Sequence, residues 1–233
     1  SQRIELKKRE RNAAWSDIAR RIAHEIKNPL TPIQLSAEYL KSKSKSKEDK
    51  SYADTIIKKV SSIEDMVNEF SMFAKLPSLK FKTIKLNKLC SDLILFHKKS
   101  NKKIKFLSTN LNKVLIIKID ETQISMAISN LIQNSIESIN ENQSKNKRFN
   151  GKINLSIYPK KGNVYIKIDD NGGGLPKNFP KNEILEPYIT TKKKGSGLGL
   201  AIVLKIIQEH NGNFDINDKK NGTTALIELP KNI

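Results

Sequence analysis

The sequence predicts an α+β protein, a helical hairpin followed by a mixed α/β domain, and three observations carry that prediction. Apolar residues in the first 75 positions recur at helical spacing, no glycine occurs from Ser1 to Phe149, and nine of the ten glycines lie beyond residue 160. Its 233 residues suit one or two domains, and 37% hydrophobic content with only 6% aromatics calls for an aliphatic core.

Ile18, Ile22 and Ile26 follow i, i+4, i+8 spacing, and Leu30, Ile33, Ala37 and Leu40 extend the pattern into one long helix. The stretch KSKSKSKEDK, residues 41–50, has no apolar residue and reads as the turn. A second helix follows on Tyr52, Ile56, Ile63, Met66, Val67 and Phe70 and ends near Pro77. Two such helices cover only part of their apolar surface, so the hairpin, residues 1–76, is expected to pair with a second copy as a four-helix bundle, making a homodimer. From about residue 80 to 233, β-type runs (FKTIKL, KIKFLS, KVLIIKI, GKINLSIYP, NVYIKID, TTALIEL) alternate with helical patterns at residues 87–99, 121–141 and 198–210. Lys161-Gly162-Asn163 reads as the turn of a β-hairpin.

The formal charge is +19, from 43 Lys+Arg against 24 Asp+Glu. Such a balance usually suggests nucleic acid. Only six of the basic residues are Arg, however, five of them within the first 21 positions, and aromatics for base stacking are scarce. The charge therefore reads as a solvated Lys-rich surface, with no nucleic-acid partner. Cys90 is the lone cysteine, which excludes an internal disulfide framework and a Cys-based zinc cluster and fits a reducing compartment. No run approaches the ~18–20 apolar residues of a membrane span, and SQRIELKKRERN lacks the apolar block of a signal peptide.

Two constellations carry chemistry. His24 stands two residues from both Ile22 and Ile26, about 200° round a helix, and so points away from that stripe. Glu25 could take its Nδ1 proton and leave Nε2 nucleophilic, and Asn28, one turn on, could orient a water. Pro29 and Pro32 should distort the helix just beyond, each at ~3 kcal/mol or more in an ordinary helix interior. Arg20 and Arg21 bring positive charge beside His24. A lone exposed histidine on a helix ordinarily has no function, so the neighbours decide the reading.

The second constellation lies in the α/β part. SNLIQNSIES sets Asn130 and Asn134 four apart on one helix face, with Glu137 and Ser138 a turn further, and carboxamide oxygens suit Mg2+ in company with phosphates and water. KIDDNGGGLP puts Asp169 and Asp170 at a strand end beside Gly172, Gly173 and Gly174, where a carboxylate can accept a purine amine and absent side chains leave room for a flat ring. KKKGSGLGL opens a helix with Gly195, Gly197 and Gly199, whose free N–H groups suit phosphate. No GxxxxGK[ST] P-loop occurs, and TTKKK is not the buried strand that a dinucleotide fingerprint requires.

HEIKNPLTPIQ resembles the H-box of sensor histidine kinases, and residues 13–40 as a whole look like the nitrogen-regulation sensor kinases of the NtrY type. Asn130 and Asn134, then Asp170, Gly172 and Gly174, then EPYITTK (186–192), then Gly195, Gly197 and Gly199 resemble in order the N-, G1-, F- and G2-boxes of the Bergerat ATP-binding fold. The resemblance implies an α/β-sandwich ATP domain after the dimerisation hairpin. It implies His24 as phosphoacceptor, Glu25 as its acid/base partner, and Asn28 as the residue positioning water for dephosphorylation of the partner. It implies ATP and Mg2+ as cofactors, with Asn134 on the metal, Asp170 on the adenine amine, and Asn130, Gly172, Gly174, Thr191, Lys192, Gly195, Gly197, Leu198 and Gly199 completing the nucleotide site under a lid at 175–194.

The sequence departs from that pattern in two places. Glu137 stands where many such kinases carry Lys or Arg, which leaves Lys192, Lys193 and Lys194 as candidates for the phosphate-compensating cation, and Leu185 stands where a Phe is usual. The activity implied is autophosphorylation on His24 followed by transfer to an aspartate of a separate response regulator, in the cytoplasmic region of a bacterial inner-membrane sensor. Two alternatives stand beside it. A Bergerat ATPase driving conformational change would need no HEIKNP, and a nucleic-acid module would explain neither glycine cluster.

Overall fold

The computed structural model describes residues 2–74, 76–177, 179–192 and 195–231, without the side chains of residues 2–20, and the chain divides into two compact units, 1–77 and 78–233. In the first unit α1 (Gln2–Lys43) and α2 (Lys47–Ala74) pack as a hairpin. The connection is three residues rather than the charged ten. Ser46 Oγ accepts from Glu48 N (3.2 Å) and Asp49 N (3.4 Å) at the start of α2, while the Ser44 hydroxyl accepts from Ser46 N and donates to Asp49. Serine hydroxyls thus satisfy the free N–H groups of the first turn, and the helix begins where no apolar residue announces it.

Burial within the hairpin follows a seven-residue repeat, Ala23, Leu30 and Ala37 on α1 against Ala53, Val60 and Val67 on α2. Small side chains at this seam bring the two helices close. Ile22, Ile26, Ile33, Ile56, Ile63 and Met66 remain 38–51% exposed, so what reads as one apolar stripe is two adjacent ones, and the second has no cover among the described residues of the hairpin. Pro29 and Pro32 do not end α1, which continues eleven residues past the second. By lacking N–H groups they deprive the Glu25 and Asn28 carbonyls of their usual donors, one turn from His24.

The second unit is built on a five-stranded sheet of order β2-β4-β5-β7-β6, from β2 (Lys105–Thr109), β4 (Lys152–Lys160), β5 (Asn163–Asp170), β6 (Asn213–Lys219) and β7 (Gly222–Pro230). β2 runs parallel to β4 and every other pairing is antiparallel. β1 (Lys82–Lys85) and β3 (Ile116–Ile119) form a separate antiparallel pair. Lys161 and Gly162, both with positive φ, make the two-residue turn between β4 and β5, and Asn163 already belongs to the strand. Three helices, α3 (Leu86–Ser100), α4 (Glu121–Lys145) and α6 (Gly199–Glu209), pack on the sheet, and α5 (Lys181–Ile184) is a single turn. The core lies between these layers and is aliphatic, with Ile124, Ile128, Ile132, Ile139, Ile153, Ile166, Ile168, Ile202 and Ile206 almost fully buried. On β5 the buried positions are Val164, Ile166, Ile168 and Asp170, one face of a period-two strand.

A buried polar joint fixes the ends of α4 and α6. His210, fully buried, accepts from Asp120 N at Nε2 (3.1 Å) and donates from Nδ1 to the Ile206 carbonyl (2.8 Å). Asp120 in turn accepts from Gln123 N, capping α4, and from Lys80 N (2.7 Å). The two helices that carry the candidate nucleotide residues therefore share one anchor.

Candidate functional site: a helical histidine and a nucleotide pocket

His24, Glu25 and Asn28 all lie exposed on α1, with His24 turned away from Ile22 and Ile26 and one residue past Ala23 of the buried seam. Glu25 does not engage the histidine in this structure. Its Oε1 accepts from Arg21 Nε at 3.2 Å, the i, i+4 geometry that adjacent residues cannot reach. Both partners are well exposed, so the pair is worth under about 1 kcal/mol and is easily given up. The Arg20 side chain lies outside the described residues.

In the second unit, strand alternation aims Asp170 inward, at the edge of the core, and Asp169 outward, where it meets Lys167, Lys219 and Thr224. Asp170 Oδ1 accepts from Gly172 N (2.8 Å) and Thr223 N (3.2 Å), and Oδ2 accepts from Ser135 Oγ of α4 (3.0 Å). Burial pushes its carboxyl above the usual carboxylate range, and these hydrogen bonds pull back only in part. An oriented acceptor with lone pairs to spare beside three glycines is a fitting seat for a purine amine. Gly172 is required sterically, since a Cβ there would lie 2.4 Å from Ser138 Oγ, the atom that accepts from Gly173 N.

Asn130, Asn134 and Glu137 line the half-buried rim of α4. Lys192 reaches across to them: its Nζ lies 2.7 Å from Asn134 Oδ1 and 2.5 Å from Glu137 Oε2. Of the three candidate cations, Lys192 is the one within the described residues; Lys193 and Lys194 fall outside them. Gly199 opens α6 with no side chain capping the helix, and a Cβ on Gly199 would have Asn134 Nδ2, 4.0 Å away, as its nearest neighbour. The free N–H groups of α6 and the Asn134 carboxamide therefore border the same space, with the positive end of the helix turned to it. Leu198 is buried beneath, and Thr191 is exposed.

Gly195 and Gly197 join the preceding segment to this turn. Gly197 has φ +72°, and a Cβ there would lie 2.6–2.8 Å from the backbone of Tyr188 and Ile189, while Tyr188 N donates to the Gly197 carbonyl (3.1 Å). Tyr188 itself holds φ +67°. Gly174, φ +81°, lies against Asp218, which accepts from Leu175 N (2.9 Å), and Lys181 pairs with Asp215, so the start of the 175–192 segment is pinned to β6. Ser135, Thr223, Asp215 and Asp218 also shape the site. Ser135 had a signal in its place beside Asn134; the other three belong to β6 and β7, and no motif marks them.

These residues fit a magnesium nucleotide. Asp170 offers an anchored acceptor, the α6 terminus offers unpaired donors, and Asn134 already directs its oxygen at a positive charge. Among the described residues no cluster of three or more His, Cys, Asp or Glu could cage an ion alone.

An α/β sandwich with this acceptor, these glycines and this helix terminus has the build of an ATP-binding domain. Residues 119–233 match the family of histidine kinase-, DNA gyrase B- and HSP90-like ATPases, and residues 14–79 match the His Kinase A phosphoacceptor domain. The catalytic domain of the histidine kinase ThkA is 30% identical, with a TM-score of 0.57 over 66% of this chain and 97% of that one. ThkA solved in complex with the response regulator protein TrrA is also 30% identical, with a TM-score of 0.69 over 97% of this chain and 65% of that one. The nitrogen regulation protein NtrY of Azorhizobium caulinodans is 40% identical over 97% of this chain. This chain belongs to the sensor histidine kinase family, and it spans 30% of the length of that NtrY.

Proposed function

We propose that this chain is the catalytic portion of a two-component sensor: ATP bound in the second unit phosphorylates His24, and the phosphoryl group passes to an aspartate of a separate response regulator. The observation that carries the reading is the presence in one chain of an exposed helical histidine and a pocket bounded by Asp170, Asn134 and the open terminus of α6. An ATPase driving only conformational change would have no use for the first.

As substrate, ATP supplies the γ-phosphoryl group, and Asn134 would hold a Mg2+ ion, which would offset the charge of the triphosphate. Asp170 orients the adenine through its amine, and the N–H groups of Gly199 and the residues after it meet the phosphates. His24 attacks through Nε2: a P–N bond forms as the bond to the ADP oxygen breaks, and the Nδ1 proton passes to Glu25 once Arg21 releases it. Positioning and charge neutralisation supply most of the rate. Asn28, exposed a turn beyond His24, would hold the water that dephosphorylates the regulator.

Two partners are part of the proposal. The uncovered stripe of Ile22, Ile26, Ile33, Ile56, Ile63 and Met66 supports a homodimer closed as a four-helix bundle. ThkA in complex with a response regulator supports a receiver domain as phosphoryl acceptor. Among the described residues no helix is long and apolar enough to cross a membrane, and placement on the cytoplasmic side of a longer membrane-anchored sensor is proposed from the family resemblance. The test is incubation with Mg-[γ-32P]ATP. Wild type is expected to take up label in an acid-labile, base-stable linkage and His24→Gln to take up none; label of that kind on His24→Gln would refute the assignment.

A further inference from the structure

The contact between Lys192 and α4 brings a fixed positive charge to the two side chains best suited to a divalent ion. Asn134 and Glu137 are three residues apart on α4, so their oxygens share a face. Gln133 Nε2 donates to Glu137 Oε1 at 2.9 Å and fixes the carboxylate, leaving Oε2 for Lys192 at 2.5 Å. The ammonium also takes Asn134 Oδ1 at 2.7 Å. Its backbone is held as well, with Lys192 N donating to Thr190 Oγ1 and Gly195 N to the Lys192 carbonyl. The segment that delivers it is stitched through Tyr188 to Gly197 and so to the start of α6.

We propose that Lys192 is a tethered counter-cation: in the nucleotide-free protein its ammonium occupies the Asn134 and Glu137 oxygens that a divalent metal takes when nucleotide binds. Metal entry and release of residues 186–192 from α4 are then a single exchange. The inference rests on the nucleotide-binding reading above. An ammonium and a divalent ion repel too strongly to share Asn134 Oδ1. The metal therefore gains the site only when phosphates arrive with it and give the displaced ammonium a new partner. Glu137, where a cation would otherwise stand on α4, becomes the resting place for one delivered from the lid. Such a site rejects free metal and accepts the metal–nucleotide complex.

Mn2+ binding to the nucleotide-free full chain, followed by electron paramagnetic resonance, tests the exchange. Lys192→Met is expected to bind Mn2+ at least tenfold more tightly than wild type, Lys192→Arg to stay close to wild type, and Lys192→Met with Glu137→Gln to lose the gain. Hydrogen exchange over residues 186–192 in the nucleotide-free state is expected to quicken in both Lys192→Met and Glu137→Gln. Calorimetric titration with Mg-ADP runs alongside. If wild type and Lys192→Met bind Mn2+ equally while both bind ADP, the exchange is refuted and the nucleotide site stands. If wild type binds no ADP, both fall together.

Discussion

Replacing Asp170 by Asn should separate recognition of adenine from stability of the fold. In Asp170→Asn, Oδ1 keeps the acceptor position for Gly172 N and Thr223 N, and Nδ2 takes the place of Oδ2, where the Ser135 hydroxyl can turn to accept from it. The pocket survives, but a donor now faces the adenine amine, itself a donor. Hydrogen bonds to charged groups are worth ~1.5–3 kcal/mol, so ADP affinity is expected to fall roughly 10- to 100-fold. Inosine diphosphate carries an acceptor where adenine carries the amine, and the substitution should leave its affinity unchanged or raise it. Calorimetric titration of both nucleotides into both proteins completes the cycle. Equal losses for ADP and inosine diphosphate would refute the role of Asp170 in reading the amine.

The same substitution predicts a pH-dependent gain in stability. Because burial raises the Asp170 carboxyl above 3.8, the native state binds that proton more tightly than the unfolded chain does. Above its native value the ionised group costs stability, and below 3.8 both states are protonated and the cost vanishes. Without nucleotide, Asp170→Asn should therefore melt above wild type at pH 7, with the gap closing as the pH falls toward 3.8. A gap that is constant or reversed would show that the hydrogen bonds outweigh the burial.

Two further outcomes follow from local geometry. Gly197→Ala places a Cβ against the Tyr188 and Ile189 backbone at φ +72°, where conformation alone costs about 1–2 kcal/mol, so calorimetry should show Tm falling by at least ~2–4 °C; an unchanged Tm would mean that the loop relaxes freely. Burial pushes the Cys90 thiol up to about 12, so it should stay unreactive to Ellman's reagent at pH 8 until denaturant is added, and prompt labelling of the native protein would contradict its place in the core.

What could be read from the sequence depended on whether a residue's role is settled by its near neighbours. The period-two alternation of NVYIKIDD is enough to send Asp170 inward and Asp169 outward, and GSGLGL before an apolar run marks both the helix start and its open N–H groups. β6 escaped because only Phe214 and Ile216 alternate in an otherwise polar NFDINDK, and its place as an edge strand is set by pairing with β7, whose partner residues lie 3–15 positions away. The short connection at Ser44–Ser46 escaped because capping hydroxyls, and not apolar spacing, begin α2. The sequence narrows the 43 basic residues to Lys192, Lys193 and Lys194 as candidate cations, but nothing in it links Lys192 to particular side chains of α4. Only the fold brings it to Asn134 and Glu137, 58 and 55 positions earlier.

The hairpin shows a limit of a different kind. Ile22, Ile26 and Ile33 give the strongest helical spacing, yet Ala23, Leu30 and Ala37 form the seam inside the chain. A helix destined to be covered on two sides carries two stripes, and spacing alone does not say which closes within the chain. Volume does. An alanine-rich seam suits two helices held close by a three-residue connection, whereas the branched, larger side chains offer more apolar area per residue to a partner that no covalent link holds in place. The division of labour between Ala and Ile along α1 is thus the physical argument for a second copy. It also accounts for the exposure of His24, which sits one residue past the Ala23 seam and two residues from Ile22 and Ile26, where neither the partner helix nor the uncovered stripe encloses it.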